Sequence, residues 1–119
     1  METIKAKLKE YLAMDHELEF AEFNDYYQQI ISELNSNYQN YDENALLTMK
    51  YVLSTVAVNA RAWGSRKDKN SKKYKKISEK AQLWVDAITY KLKKELGYTS
   101  EMIDEADVKI DEEMRPEAK

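Results

Sequence analysis

DENALLTMKYVLSTVAVNARAWG, residues 42–64, decides the fold. Its apolar positions are Ala45, Leu46, Met49, Val52, Leu53, Val56, Ala57, Ala60 and Trp63. They recur in steps of three and four, the mark of a helix with one buried stripe. Asp42 stands where a carboxylate can accept the orphan backbone N–H groups of a first turn. Gly64 stands where a left-handed residue without a Cβ ends a helix. This is the most hydrophobic segment of the chain, and it is expected at the centre of a bundle. Ala57 and Ala60 would let a neighbouring helix come close.

The flanks repeat the pattern. After Asn70 or Ser71 as a cap, a fourth helix carries Tyr74, Ile77, Ala81, Trp84, Ile88 and Leu92, with Gly97 as its stop. Ser100 caps a fifth helix bearing Ile103, Ala106, Ile110 and Met114. Upstream, Thr3 caps a first helix with Ile4, Leu8, Tyr11 and Leu12. The apolar phase slips near residues 13–16, and Asp15 is the expected cap of a second helix carrying Phe20, Phe23, Tyr27, Ile30, Ile31 and Leu34. One long bent helix is the alternative there, because neither Gly nor Pro forces a break. The polar cluster Asn35, Ser36 and Asn37 closes the second helix. Short links favour antiparallel neighbours. The expected fold is all-α, an up-and-down bundle of four to five antiparallel helices. Residues 1–115 form one domain and 116–119 a frayed tail.

Composition agrees. The chain has 119 residues, enough for one domain with a modest core. Two Gly and one Pro are too few for the turns of an all-β protein. Without cysteine there is no disulfide, thiol nucleophile or thiolate metal site. No stretch near the N-terminus reads as a secretory signal, and none reaches the ~18 apolar residues of a membrane span. A cytoplasmic protein with no membrane partner is expected. The Lys, Asn and Tyr usage resembles that of AT-rich bacterial or phage genomes, an association only.

Charge is sorted along the chain. Residues 10–49 hold nine acids and no Lys or Arg; residues 50–94 hold thirteen bases against three acids; from Glu95 onward acids lead nine to three. The net charge of −3 conceals this. The densest basic run is RKDKNSKKYKKISEK, residues 66–80, with eight bases and two acids. Arg66 and Lys67 follow the C-terminus of a helix, where cations suit the dipole. Lys72, Lys73, Lys75 and Lys76 occupy the first turns of the next helix, where each opposes the dipole by about 0.3–1 kcal/mol. Lys72, Lys76 and Lys80 also repel one another at four-residue spacing, by about 0.2–0.5 kcal/mol per pair. A local rule broken without compensation marks a candidate functional surface.

The candidate binding tip is therefore Arg66, Lys67, Lys69, Lys72, Lys73, Lys75 and Lys76, with Tyr74 among them as a ring that could stack on an unpaired base. Lys outnumbers Arg sixteen to three, which argues against bidentate reading of guanine. The plainer reading is a solvated lysine face, neutralised by Asp15, Glu17, Glu19 and Glu22 if the second helix starts at the same pole.

The acidic stretch offers a competing site. Glu17, Glu19, Glu22 and Asp25 would imitate nucleic acid and occupy a basic groove on a target, as small inhibitors encoded by phages or mobile elements do. The plainer reading is a solvated helix face. A second acidic run, residues 101–113, is expected beside the basic fourth helix.

Catalysis has little support. His16 is the only histidine, with no nucleophile nearby. One His cannot furnish a two-metal carboxylate site, and two isolated Gly cannot build a phosphate loop. No metal, cofactor or catalytic residue is expected. Of the nine tyrosines, Tyr38 and Tyr41 form a loop pair suited either to a contact or to closing the bundle end. Tyr26 and Tyr27 are adjacent, so one at most should face the core. Trp63 and Trp84 follow the stripes and are expected in the core or in a seam between helices three and four. The expectation is a non-enzymatic binding or regulatory protein with a macromolecular partner, nucleic acid or protein; a homo-oligomer is a further possibility.

Overall fold

The computed structural model describes residues 1–115, so the tail at 116–119 lies outside the described residues. Five helices follow one another: α1 (Glu2–Leu12), α2 (Phe20–Asn37), α3 (Glu43–Gly64), α4 (Ser71–Lys94) and α5 (Ser100–Met114). A 3-10 turn, Tyr38–Asn40, joins α2 to α3, and no strand occurs among the described residues. The protein is an all-α helical bundle.

α3 is the central element. Leu46, Met49, Val52, Leu53 and Ala60 are fully buried, and Val56 and Ala57 nearly so. Each large side chain of this kind contributes about 1.5–3 kcal/mol relative to exposure. Leu47 and Tyr51 are buried as well, which widens the stripe, because α3 has neighbours on more than one side. α4 runs back along α3 and covers it with Ile77, Ala81, Ile88 and Leu92. Tyr98, just past α4, donates to Glu43 at the start of α3 at 3.0 Å, which confirms the antiparallel hairpin. α5 then runs alongside α3 in the same direction. Lys50 Nζ lies 2.9 Å from Asp107 Oδ2, and the Tyr51 hydroxyl donates to Asp111 at 2.6 Å.

Several local expectations need correction. α1 begins at Glu2, so Thr3 lies within its first turn and caps nothing. α2 begins at Phe20, with Glu19 in the cap position; Asp15 stays in the linker. The linker is set by Leu18, which is drawn into the core at 8% exposure and delays the new helix. α1 and α2 are thus separate helices. Asp42 caps α3 as expected, accepting from the Ala45 N–H at 2.8 Å. α5 is capped by Thr99, not Ser100; the Thr99 hydroxyl accepts from the Met102 N–H at 3.1 Å.

Both tyrosines of the Tyr26–Tyr27 pair are buried, at 2% and 4% exposure. α2 is flanked on two sides: the Tyr26 hydroxyl donates to the Ile4 carbonyl of α1 at 2.9 Å, while Tyr27 faces α4. Asp107 and Glu113 of α5 pair with Lys50 of α3 and Lys5 of α1, and the ion pairs seen among the described residues do not join α5 to α4. Tyr38 and Tyr41 close the bundle end. Their rings stand 6.0 Å apart edge-on, and Tyr41 donates to Glu33 at 2.6 Å. Trp84 packs on Tyr38 at 5.2 Å and so sits in the seam of α4 with α2, not of α4 with α3.

Candidate binding surface

The lysine-rich tip is the turn between α3 and α4. Gly64 ends α3, but not through a left-handed conformation: the next residue, Ser65, is still right-handed, and Gly97 is the one glycine with positive φ, at 74°. Gly64 is needed for closeness. A Cβ there would stand 3.0 Å from Lys75 Cγ and 3.2 Å from the Lys75 backbone nitrogen. The two helices therefore meet almost backbone to backbone. The turn is tied by Asp68, which accepts from the Asn70 N–H at 2.9 Å, and by Ser71, whose hydroxyl donates to the Arg66 carbonyl at 2.6 Å. Asn70 holds the cap position of α4 but makes no side-chain cap.

Beneath the turn lies an aromatic platform. Phe23 meets Trp63 edge-on at 5.0 Å, and Tyr74 lies 5.1 Å from Phe20 and 5.5 Å from Trp63. Tyr74 is 3% exposed and is part of this platform. It has no face free to stack on a base, so that expected role is withdrawn. Its place in the apolar stripe of α4 was the stronger signal.

The charged members of the tip all reach solvent: Arg66, Lys67, Lys69, Lys72, Lys73, Lys75 and Lys76. The start of α2 does share this pole, but only Glu17 meets a tip cation. Its two oxygens receive the Arg66 guanidinium as a fork, at 2.9 and 2.7 Å. That bond holds the Glu17 carboxyl below its ordinary range and raises Arg66. Among the described residues no carboxylate lies within ion-pair distance of Lys67, Lys69, Lys72, Lys73, Lys75, Lys76 or Lys80. Lys73 instead sits over the Phe20 ring, 5.4 Å from its centre.

The acidic candidates are also exposed, yet they do not form one continuous free surface. Glu17 is engaged with Arg66. Burial, and then the nearby Glu22 carboxylate, push the Tyr11 hydroxyl up to about 12. Glu19 and Asp25 face solvent. His16 is exposed and lies 3.3 Å from Asp15. No group of three or more metal-ligating side chains gathers among the described residues. No helix among them is long and apolar enough to cross a membrane.

The lysines lead into a groove that single-helix periodicity does not reveal. Lys73, Lys76 and Lys80 line its α4 wall, and Phe20, Asn24, Tyr27 and Gln28 its α2 wall. Further along, the same seam is lined by Leu83, Trp84 and Ala87 opposite Ile31. Leu83 is 67% exposed, the most exposed large hydrophobic of the described residues. It falls outside the buried stripe of α4, and its place beside Lys80 becomes meaningful only once α2 is laid against α4. Compared with known protein families, curated proteins and solved structures, the chain matches none.

Proposed function

We propose that this chain is a non-enzymatic binding or regulatory protein whose contact surface is the lysine-rich tip, and that its partner is a polyanionic macromolecule. One observation carries the reading: among the described residues, seven exposed lysines between residues 67 and 80 have no carboxylate within ion-pair distance, while Arg66 beside them does. Four of those lysines oppose the α4 dipole, an arrangement that a bound polyanion would relieve. Lysines of this kind attract charge without reading sequence, because an ammonium is a point charge and not a planar fork. The competing reading, an inhibitor that presents Glu17, Glu19, Glu22 and Asp25 to a basic groove, has less support, since Glu17 is already engaged.

The test is fluorescence anisotropy with two labelled probes, a mixed-sequence DNA duplex and polyglutamate. At low salt at least one probe is expected to bind, with affinity falling steeply between 50 and 200 mM salt as counterion release requires, on the order of tenfold or more. Lys72→Glu, Lys73→Glu and Lys76→Glu together should abolish binding. If neither probe binds at low salt, or the triple variant binds as well as the parent, the reading is wrong.

A further inference from the structure

We infer that the partner engaged by the tip is a protein, and that the groove between α2 and α4 receives one amphipathic helix of it, acidic at the tip end and apolar at the other. This rests on the tip being a binding surface and goes on to name what it binds. Three observations lead there. First, the groove changes character along its length. Lys73, Lys76 and Lys80 line one end, while Leu83 stands 67% exposed at the other beside Trp84. A phosphate backbone would complement the first half and leave the second without a use. An acidic and apolar helix complements both.

Second, the facing wall supplies no charge. The side chains with polar groups that α2 contributes to the basic end are Asn24, Tyr27 and Gln28, none of which carries a charge that would neutralise the lysines. The countercharge must come from the occupant. Third, the α4 wall of the groove is one straight row of side chains, a surface along which a rod-like occupant such as a helix lies. Lys73, Lys76, Lys80 and Leu83 fall at i, i+3, i+7 and i+10, one side of α4. Ten residues of helix cover about 15 Å, so the occupant needs about three to four turns. Nucleic acid is disfavoured by the same geometry. The tip's one arginine is held by Glu17, and its one tyrosine is buried. Bidentate phosphate capture and base stacking are both removed.

The probe is a lactam-stapled 16-residue helix with Glu on one face of one half and Leu on the same face of the other. Two controls replace its Glu by Gln or its Leu by Ser. The full probe should bind at least about tenfold tighter than either control, the scale of one or two well-buried apolar groups or a few desolvated charge contacts. Backbone amide shifts should concentrate at Asn24, Gln28, Lys76 and Leu83. Leu83→Ser, exposed enough to leave folding intact, should weaken the probe about tenfold and leave polyglutamate binding unchanged. Equal binding of the full probe and the Leu-to-Ser control, or indifference to Leu83→Ser, would overturn the helix while leaving the polyanion reading standing. Tighter binding of the DNA duplex than of the helix would assign the tip to nucleic acid. A mass rising with protein concentration and reversed by Leu83→Ser would assign the groove to a second copy, whose α5 exposes Met102 and Val108 among acids, and would overturn the separate partner. Loss of all binding, polyglutamate included, would instead sink the tip itself.

Discussion

The seam of α5 with α3 and the groove of α4 with α2 use the same kinds of side chain to opposite ends. In the first, Lys50 is 12% exposed and paired with Asp107 at 2.9 Å, and Asp111 gathers both the Tyr51 hydroxyl and the Arg115 guanidinium. In the second, Lys73, Lys76 and Lys80 reach solvent with no carboxylate of the described residues within ion-pair distance, and the facing helix offers aromatic rings and amides but no charge. Lysine in the first seam holds the bundle together. Lysine in the second raises the energy of the helix that carries it. A positive charge is thus a structural residue or a candidate contact according to what faces it, and the facing residue comes from another part of the chain.

The largest test removes a cation from each side. Lys50→Met should destabilise the fold by about 2 kcal/mol, because Asp107 keeps one oxygen that is already buried without a partner and loses the ion that satisfied the other. The figure sits below the range for fully buried pairs because Asp107 is 30% exposed. Lys73→Met should change stability by no more than about 0.5 kcal/mol. Urea denaturation of the two variants checks this. Adding Asp107→Leu to Lys50→Met should recover much of the loss, since an apolar pair avoids the desolvation cost. Equal losses at Lys50 and Lys73 would erase the contrast.

The second test reaches the groove from beneath. Gly64→Ala pushes a methyl against Lys75, including its backbone nitrogen at 3.2 Å. Overpacking of this kind costs about 1–3 kcal/mol, against a gain of up to about 1 kcal/mol from replacing Gly by Ala inside a helix. A net loss of about 1 kcal/mol is expected by the same urea assay. Gly97→Ala meets no atom within 4 Å and should lose a similar amount for a different reason, its φ of 74°. Only Gly64→Ala should also alter binding at the tip, because it moves α4 relative to α3.

A third test reverses the usual sign. Lys76→Gln removes a cation from the start of α4 and breaks a row of like charges with Lys72 and Lys80. It should stabilise the protein by about 0.3–1 kcal/mol while weakening polyanion binding. A thermal melt and an anisotropy titration on the same sample are enough. A stabilised variant that also binds better would break the link between strain and function.

Much of this architecture was legible in the sequence. Five apolar stripes, the Asp42 cap and the two glycine stops mark the helices, because periodicity and capping are local. The start of α2 was not legible: Asp15 has the chemistry of a cap, but Leu18 is held by the core, and that pull comes from other helices. Gly64 was rightly placed as a stop for the wrong reason, since close approach to Lys75 is invisible in one helix alone. Tyr74 belonged both to a basic run and to an apolar stripe, and burial in the platform decided for the stripe. The density of lysine at the tip was plain. That Glu17 alone of the four nearby acids meets a tip cation was not, because a neutralising partner depends on how the 13–19 linker crosses the turn. The groove was out of reach for the same reason, being made by two helices that are not consecutive.

That linker gives the smallest and most specific test. Glu17 is ionised at neutral pH, and the Arg66 fork holds its carboxyl below the ordinary 4.5. A group with a lowered folded pKa adds stability above its unfolded value and loses it as pH falls through the folded one. The contribution of the fork should therefore be complete above about pH 5 and fade below pH 4.5. Both side chains are nearly half exposed, at 44% and 47%, so solvent screens the pair and the change in stability should be slight. Binding responds in the opposite direction. Glu17→Gln releases Arg66 and removes the carboxylate that faces the turn, so the tip gains one unit of positive charge at neutral pH. Polyanion affinity at low salt should rise, and its salt slope should steepen by close to the contribution of one further contact. An anisotropy titration of polyglutamate at pH 7, parent against Glu17→Gln, reads this directly. A variant with unchanged affinity and slope would mean that the tip is not where polyanions bind, however bare its lysines are.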